Sequence, residues 1–193
     1  NLAAFQIDPW FISLPNGTGV RFRSPVNGVT TKGSDYPRAE LREMTNSGVS
    51  NASWNSNSGT HTMLITEAIT ALPEKKKHIV VAQIHDANAD VIVIRLDDRN
   101  LYVSVDGENV QTLDSNYLLG KRIFVKFVVE NGQTSVYYND SSNPVYTLSK
   151  DYSDAYFKAG AYTQSNCSKE NYSKCTDTNY AEMIIYQLSV THQ

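Results

Sequence analysis

The stretch 156–164 carries a set of reactive side chains at alternating positions. Tyr156, Lys158, Tyr162 and Gln164 occupy even positions, while the odd positions are small or apolar. On a β-strand successive side chains point to opposite faces, so this segment would present phenols, an ammonium and an amide together. A phenol beside a cation is suited to proton transfer, because the cation favours the ionised oxygen. We therefore interpret this strand as one face of a site.

Two further segments repeat the alternation. Arg38, Glu40 and Arg42 would share one strand face, and Gln83 would share another with His85. An arginine fork and an amide can neutralise a carboxylate, and an imidazole titrates near neutral pH and can act as a base. Taken singly, the sets have simpler explanations, such as a salt-bridge ladder or a surface histidine. Their joint occurrence favours one polar site.

The elements that must position these residues are short, strand-like segments separated by turn residues. Asn131-Gly132 is the strongest hairpin signal in the chain. No segment has a long helical stripe, and no linker or repeat divides residues 1–193. The pattern predicts a single all-β domain, a sandwich of two antiparallel sheets of the jelly-roll type. The predicted strands are 20–23, 38–42, 60–71, 78–85, 91–96, 101–105, 121–130, 133–138, 145–148, 155–164 and 180–190.

Net charge, the length of apolar runs and the residue types present limit the partners and cofactors that we expect for this chain. A formal net charge of −3 over 193 residues gives no global reason to expect nucleic acid or an anionic membrane. No apolar run is long enough to span a bilayer. We expect no metal or other cofactor, since two cysteines without a histidine make a poor zinc site and the adjacent acids Asp97 and Asp98 fit a solvated turn better than a calcium site.

The two cysteines point instead to an oxidising compartment. Cys167 and Cys175 are close together in a polar loop, which predicts a local disulfide. A secreted, extracellular monomer is the expectation. Triplets that would permit glycosylation in a eukaryotic source begin at Asn16, Asn51, Asn139, Asn166 and Asn171.

The three polar segments together resemble the signature blocks of alginate lyases of polysaccharide lyase family 7. The blocks match as 38–42 (Arg-Ala-Glu-Leu-Arg), 83–85 (Gln-Ile-His) and 156–164, in the family's order. Ala161 and Thr163 depart from the commonest third block, but both belong to the face opposite Tyr162. The resemblance implies a β-jelly roll whose concave sheet forms a groove for an acidic polysaccharide.

The same resemblance implies β-elimination at a uronate. A base removes the C5 proton, charge develops on the neighbouring carboxylate, and the bond from C4 to the bridging oxygen breaks. Arg38 and Gln83 would neutralise the carboxylate, His85 would act as base, and Tyr162 would donate a proton to the departing oxygen. In mannuronate, where proton and oxygen lie on the same side, Tyr162 could serve as both base and acid.

Four neighbouring residues receive binding roles. Arg42 and Lys158 are expected to hold adjacent uronates, Glu40 to orient the two arginines, and Gln164 to hydrogen-bond a sugar. Three alternatives are weighed against this lyase. A non-catalytic carbohydrate-binding module needs no base–acid pair, and a jelly-roll glycoside hydrolase needs two opposed carboxylates. A lyase for another polyuronate, such as glucuronan, would use nearly the same residues and stays open.

Overall fold

A computed structural model describes residues 2–193, with the side chains of Ala3, Asn16 and Asn46 outside the description. Short 3₁₀ turns occupy Leu2–Ala4, Pro15–Gly17, Asn46–Gly48 and Tyr172–Lys174. In this described part no helix has the length and apolarity needed to cross a membrane. The strands are β1 (Phe11–Ser13), β2 (Val20–Pro25), β3 (Arg38–Arg42), β4 (Met44–Thr45), β5 (Ser50–Asn51), β6 (Thr60–Ala71), β7 (His78–His85), β8 (Asp90–Asp97), β9 (Asn100–Val105), β10 (Glu108–Asp114), β11 (Ile123–Glu130), β12 (Gln133–Tyr138), β13 (Tyr146–Ser149), β14 (Tyr156–Thr163) and β15 (Tyr180–His192).

Two antiparallel sheets account for most of these strands. One has the order β1-β2-β15-β6-β11-β12-β13, and the other has the order β10-β9-β8-β7-β14-β3. β4 and β5 form a small separate hairpin. The predicted all-β, antiparallel architecture is confirmed.

The core lies between the two sheets because strand residues alternate between the interior and the solvent. β11 shows this most clearly, with every second residue from Ile123 to Val129 buried. Each fully buried aliphatic or aromatic side chain stabilises the fold by about 1.5–3 kcal/mol. The buried cluster joins residues of both sheets, among them Met63, Ile65, Val125 and Phe127 from one and Ile84, Ile94, Val103 and Phe157 from the other.

Several predicted strand boundaries match the structure. Arg38–Arg42, Thr60–Ala71, His78–His85 and Gln133–Tyr138 begin and end where the alternation indicates. β10 was not predicted. Its residues are mostly exposed and polar, since β10 forms the edge of its sheet, so it lacks the apolar alternation of an inner strand.

A disulfide closes the loop after β14. Cys167 and Cys175 are bonded, as predicted, with their Cα atoms 4.9 Å apart. Within this loop Glu170 accepts hydrogen bonds from the backbone N–H groups of Lys75 and Lys76, each at 2.9 Å. Burial opposes ionisation of Glu170, but these and two side-chain donors outweigh it and hold its pKa below the usual value. The loop is thereby fixed against the β6–β7 turn.

One acidic side chain lies inside the core. Glu67 of β6 is fully buried, with Ile123 and Ile185 as its cross-strand neighbours. Neither carboxylate oxygen has a hydrogen-bond partner among the described residues. Burial raises the pKa of Glu67 to about 8, so the folded protein keeps this carboxyl protonated at neutral pH.

Glu67 should therefore make stability depend on pH. The pKa of Glu67 is raised from 4.5 to about 8 in the folded protein. The stability contributed by its bound proton is therefore intact below pH 4.5, and it is lost as pH rises from 4.5 through 8. The loss approaches about 1.4 kcal/mol per pH unit in that window. We compare the free energy of unfolding of Glu67→Gln with that of the wild type. The difference should shift in favour of the variant by roughly 3–5 kcal/mol between pH 5 and pH 9. Urea unfolding at both pH values measures this.

The exposed Glu108→Gln is the matched control, since it removes a carboxylate that is already solvated. It should leave the pH dependence of unfolding as in the wild type. An equal wild-type-to-Glu67→Gln difference at pH 5 and pH 9 would show that Glu67 does not titrate in this window.

Candidate active site

The predicted site residues meet on one face of the six-stranded sheet, because β14 lies between β7 and β3. Residues directly opposite each other in antiparallel strands project to the same side. The cross-strand partners are Tyr156 with His85, Lys158 with Gln83 and Arg42, Gly160 with Glu40, and Tyr162 with Arg38. Seven of the eight predicted site residues thus share the face, and Gln164 follows directly after β14.

Glu40 contacts side chains from all three of these strands. Its side chain is only 2% exposed, and its two oxygens accept hydrogen bonds from Gln83 Nε2 at 2.5 Å and from Lys158 Nζ at 2.6 Å. Arg38 Nη1 lies 3.6 Å from Glu40 Oε2. Glu40 therefore links all three strands: it holds Gln83 and Lys158 by hydrogen bonds and, of the two arginines assigned to it above, it is ion-paired with Arg38.

Gly160 makes this close approach possible. Its φ is +143°, and a Cβ placed there would meet the Ala39 carbonyl oxygen and, at 2.7 Å, the Glu40 Cα. A larger residue would push β3 away from β14. The glycine in the third block is thus required by strand packing.

Positive charge dominates this face despite the acidic net charge of the protein. Arg38, Arg42 and Lys158 surround the single carboxylate of Glu40. Burial lowers the pKa of Lys158, the two arginines act in the same direction, and Glu40 opposes them. Such a cluster of cations attracts a polyanion.

His85 is held in one tautomer. Its Nδ1 lies 2.6 Å from the carbonyl oxygen of Asp86, so Nδ1 carries the proton and donates it. In the neutral ring Nε2 is then the free acceptor. The Tyr156 ring stacks on the imidazole with a centroid distance of 5.3 Å, and the Arg42 guanidinium lies 3.5 Å from the Tyr156 centroid. Tyr156, for which the sequence suggested no role, thus orients His85.

Tyr162 has equally specific surroundings. The Arg38 guanidinium lies 3.7 Å from the centroid of its ring, and its hydroxyl is 3.0 Å from Ser34 Oγ. Ser34 also accepts a hydrogen bond of 2.6 Å from Arg38 Nη2. Sequence reasoning missed Ser34, because it lies in a loop and belongs to no alternating segment.

The polar face continues across the sheet beyond Tyr162. A cavity of about 330 Å³ is lined by Tyr162, Gln164, Arg95 and Ser104. Arg95 is bonded to the Asp97 carboxylate at 2.5 Å. The sequence could have indicated Arg95, because it is the one charged residue within the otherwise apolar segment 91–96. Two mainly apolar cavities of about 440 and 260 Å³ border Leu41, and the smaller one is also lined by Arg42, Glu43 and Lys158.

The side chains of the remaining histidines contact residues other than the eight predicted site residues. His61 Nδ1 lies 2.7 Å from His192 Nδ1, and His192 Nε2 lies 2.6 Å from Glu43. Glu43 also accepts a hydrogen bond from the Trp54 indole. His78 accepts a hydrogen bond from Arg95. These contacts agree with the structural roles expected for His61, His78 and His192.

Comparison with known proteins decides the family. The sequence model described as alginate lyase matches residues 1–192. The chain belongs to the alginate lyase family. This confirms the resemblance drawn from the three blocks, and with it the prediction of a polysaccharide lyase. No curated protein sequence matched this lyase.

Solved structures give the same result for the fold. Alginate lyase AlgAT5 from Polysaccharide Lyase family 7 is 48% identical, covering 98% of this chain and 85% of that chain, with a TM-score of 0.92. The alginate lyase from Corynebacterium sp. is also 48% identical, covering 98% and 83%, with a TM-score of 0.93. A variant of family 7 alginate lyase A1-II′ in complex with product (GGG) is 26% identical, covering 99% and 87%, with a TM-score of 0.81. The jelly roll predicted for this lyase is confirmed.

Proposed function

We propose that this lyase cleaves the 1,4-linkages of alginate by β-elimination in the groove over β3, β14 and β7, leaving an unsaturated uronate at the new non-reducing end. The observation that carries the proposal is the convergence of Arg38, Gln83, His85 and Tyr162 from three strands onto one cationic face. Residues 1–193 act as a single catalytic domain.

The first requirement is neutralisation of the substrate carboxylate, because removal of the C5 proton drives charge onto it. Arg38 supplies a permanent cation, and Gln83 has a second amide hydrogen beyond the one given to Glu40. Both side chains are held by partners before substrate arrives: Ser34 and Glu40 for Arg38, Glu40 for Gln83. Prepositioned donors of this kind need no reorganisation during the reaction.

The second requirement is a base, and its identity depends on the sugar. In guluronate the C5 proton and the C4 oxygen lie on opposite sides, so two groups are needed. His85 serves as base through Nε2, since Nδ1 is committed to the Asp86 carbonyl. Tyr162 serves as acid to the bridging oxygen. In mannuronate both lie on the same side, and Tyr162 removes the proton and then returns it.

The outer contacts set binding. Arg42, which is exposed beside His85, and Lys158 attract the carboxylates of neighbouring uronates. Gln164 lines the cavity beside Tyr162, and its Nε2 has no acceptor among the described residues, so it is the donor for a sugar oxygen. The A1-II′ complex with product (GGG) supports a uronate chain as the ligand of such a groove.

An assay across polymers tests the function. The protein is incubated with alginate, polymannuronate, polyguluronate and glucuronan, and the ultraviolet absorbance of the unsaturated uronate is followed. We expect a rise with alginate and with at least one of its homopolymers. A rise with glucuronan alone would move the substrate to another polyuronate, and no rise with any polymer would overturn the lyase assignment.

The site of action proposed for this lyase is outside the cell. The Cys167–Cys175 disulfide supports this, because such bonds persist in oxidising compartments. Among the glycosylation triplets, Asn51 and Asn171 are exposed and accessible to modification, whereas the side chain of Asn16 lies outside the described residues.

A further inference from the structure

The hydroxyl of Ser34 lies between the proposed carboxylate neutraliser and the proposed acid. Four polar atoms surround its Oγ: Arg38 Nη2 at 2.6 Å, Tyr162 Oη at 3.0 Å, and the backbone N and O of Tyr36, each at 3.2 Å. Ser34 itself is half-buried. These four contacts determine in which direction each proton points.

A serine hydroxyl has two acceptor lone pairs and one proton. The Arg38 guanidinium and the Tyr36 backbone N–H can only donate, so they occupy both lone pairs of Ser34 Oγ. Tyr162 therefore cannot donate to Ser34. The single proton of Ser34 is left to donate, and Tyr162 Oη is the nearer of its two possible acceptors.

We propose that Ser34 is a positioning residue for the elimination, which turns the Tyr162 proton toward the bound sugar and donates a hydrogen bond to the Tyr162 oxygen when that oxygen is charged. This inference rests on the proposed function. Arg38 donates a short hydrogen bond to the Ser34 hydroxyl and polarises it. This polarisation strengthens the hydrogen bond that Ser34 donates to Tyr162.

The loop that carries Ser34 is fixed from several sides. The Ser34 backbone N–H donates to the Thr31 carbonyl at 3.0 Å. Asn166, from the disulfide loop, donates to the Asp35 carbonyl at 3.0 Å. Lys76 Nζ donates to the Tyr36 hydroxyl at 2.8 Å. Ser34 is thus held in place independently of the strands, which a positioning role requires.

The role predicts different effects on the two homopolymers. With polymannuronate Tyr162 must first be ionised to act as base, so the donor from Ser34 helps at neutral pH. With polyguluronate Tyr162 must keep its proton to act as acid, so the same donor limits activity only at alkaline pH. Removal of the Ser34 hydroxyl should therefore move the ascending limb of the polymannuronate profile and the descending alkaline limb of the polyguluronate profile to higher pH.

The test compares Ser34→Ala, Ser34→Thr and the wild type by kcat/KM against pH on each homopolymer. For Ser34→Ala we expect the ascending limb on polymannuronate and the descending limb on polyguluronate each to move up by about one pH unit, the amount one hydrogen bond to a charged oxygen provides. Neutral-pH activity on polymannuronate should then fall about tenfold, with little change on polyguluronate. Ser34→Thr keeps the hydroxyl and should restore the wild-type limbs. Ser53→Ala, which removes a serine bonded to Asp154, is the matched control and should not move them.

Two results overturn this inference while the proposed function stands. One is a Ser34→Ala profile with unmoved limbs on both polymers. The other is an equal loss at every pH, which Ser34→Thr does not rescue and which would make Ser34 a packing residue only. A wild type that cleaves no polyuronate is a different outcome, because it refutes the function on which the inference depends.

Discussion

Tyr162→Phe should abolish turnover of this lyase on every alginate block, with kcat lower by at least about 10³-fold. The reason is that, in the proposed mechanism, Tyr162 supplies the proton to the bridging oxygen in both stereochemical courses, whereas Phe has no proton to give. The Phe ring keeps the contact with the Arg38 guanidinium, so the groove retains its shape and charge. Affinity for polyguluronate and polymannuronate should stay within about threefold of the wild type.

The measurement combines initial rates on both homopolymers with equilibrium binding of an oligouronate. Tyr172→Phe is the matched control, because Tyr172 is 97% exposed on the disulfide loop. It should retain full activity. Residual turnover by Tyr162→Phe above a tenth of the wild-type rate would mean that another group protonates the leaving oxygen.

His85→Asn is expected to separate the two homopolymers. The Asn amide can still donate to the Asp86 carbonyl as Nδ1 does, but it cannot accept a proton as Nε2 can. Cleavage of polyguluronate should fall by about 10²-fold or more, the usual contribution of a general base. Cleavage of polymannuronate should fall by less than about tenfold, since Tyr162 is the proposed base there.

The ratio of kcat/KM on the two homopolymers reports this directly, and each polymer is the control for the other. Loss of the acid limb of the polyguluronate profile in His85→Asn would support the role of the imidazole as base. Equal losses on both polymers would contradict it, and would assign His85 to carboxylate neutralisation.

Most of the fold could be predicted because many of its strands alternate between polar and apolar residues. In β3 and at the 83–85 end of β7 the polar residues fall on the groove face and the apolar residues on the core face, so the boundaries of both strands could be predicted. β10 escaped because an exposed edge strand has no such constraint. The order of strands in each sheet could not be derived from periodicity, since pairing depends on contacts far apart in sequence.

The site shows the same division between local and non-local information. The alternation predicted that Arg38, Glu40 and Arg42 share one face, but it could not predict how far each side chain reaches across β14. The irregular register between Ala159 and Tyr162 and the bare backbone at Gly160 decide that Glu40 bonds Gln83 and Lys158. Ser34 was invisible because its role follows from a loop conformation.

The position of β3 at the end of its sheet affects how the active site responds to heating. β3 has five register pairs with β14, and within residues 2–193 no strand pairs with its other side. Edge elements open locally at a lower free energy than the whole domain unfolds, and their backbone amides exchange hydrogen sooner. Arg38, the proposed carboxylate neutraliser, is therefore carried by a less protected strand than His85, the proposed base, which comes from the inner strand β7. We accordingly expect activity to be lost on warming before the sandwich melts, and a ligand that bridges Arg38 to β14 to delay the loss of activity more than the melting.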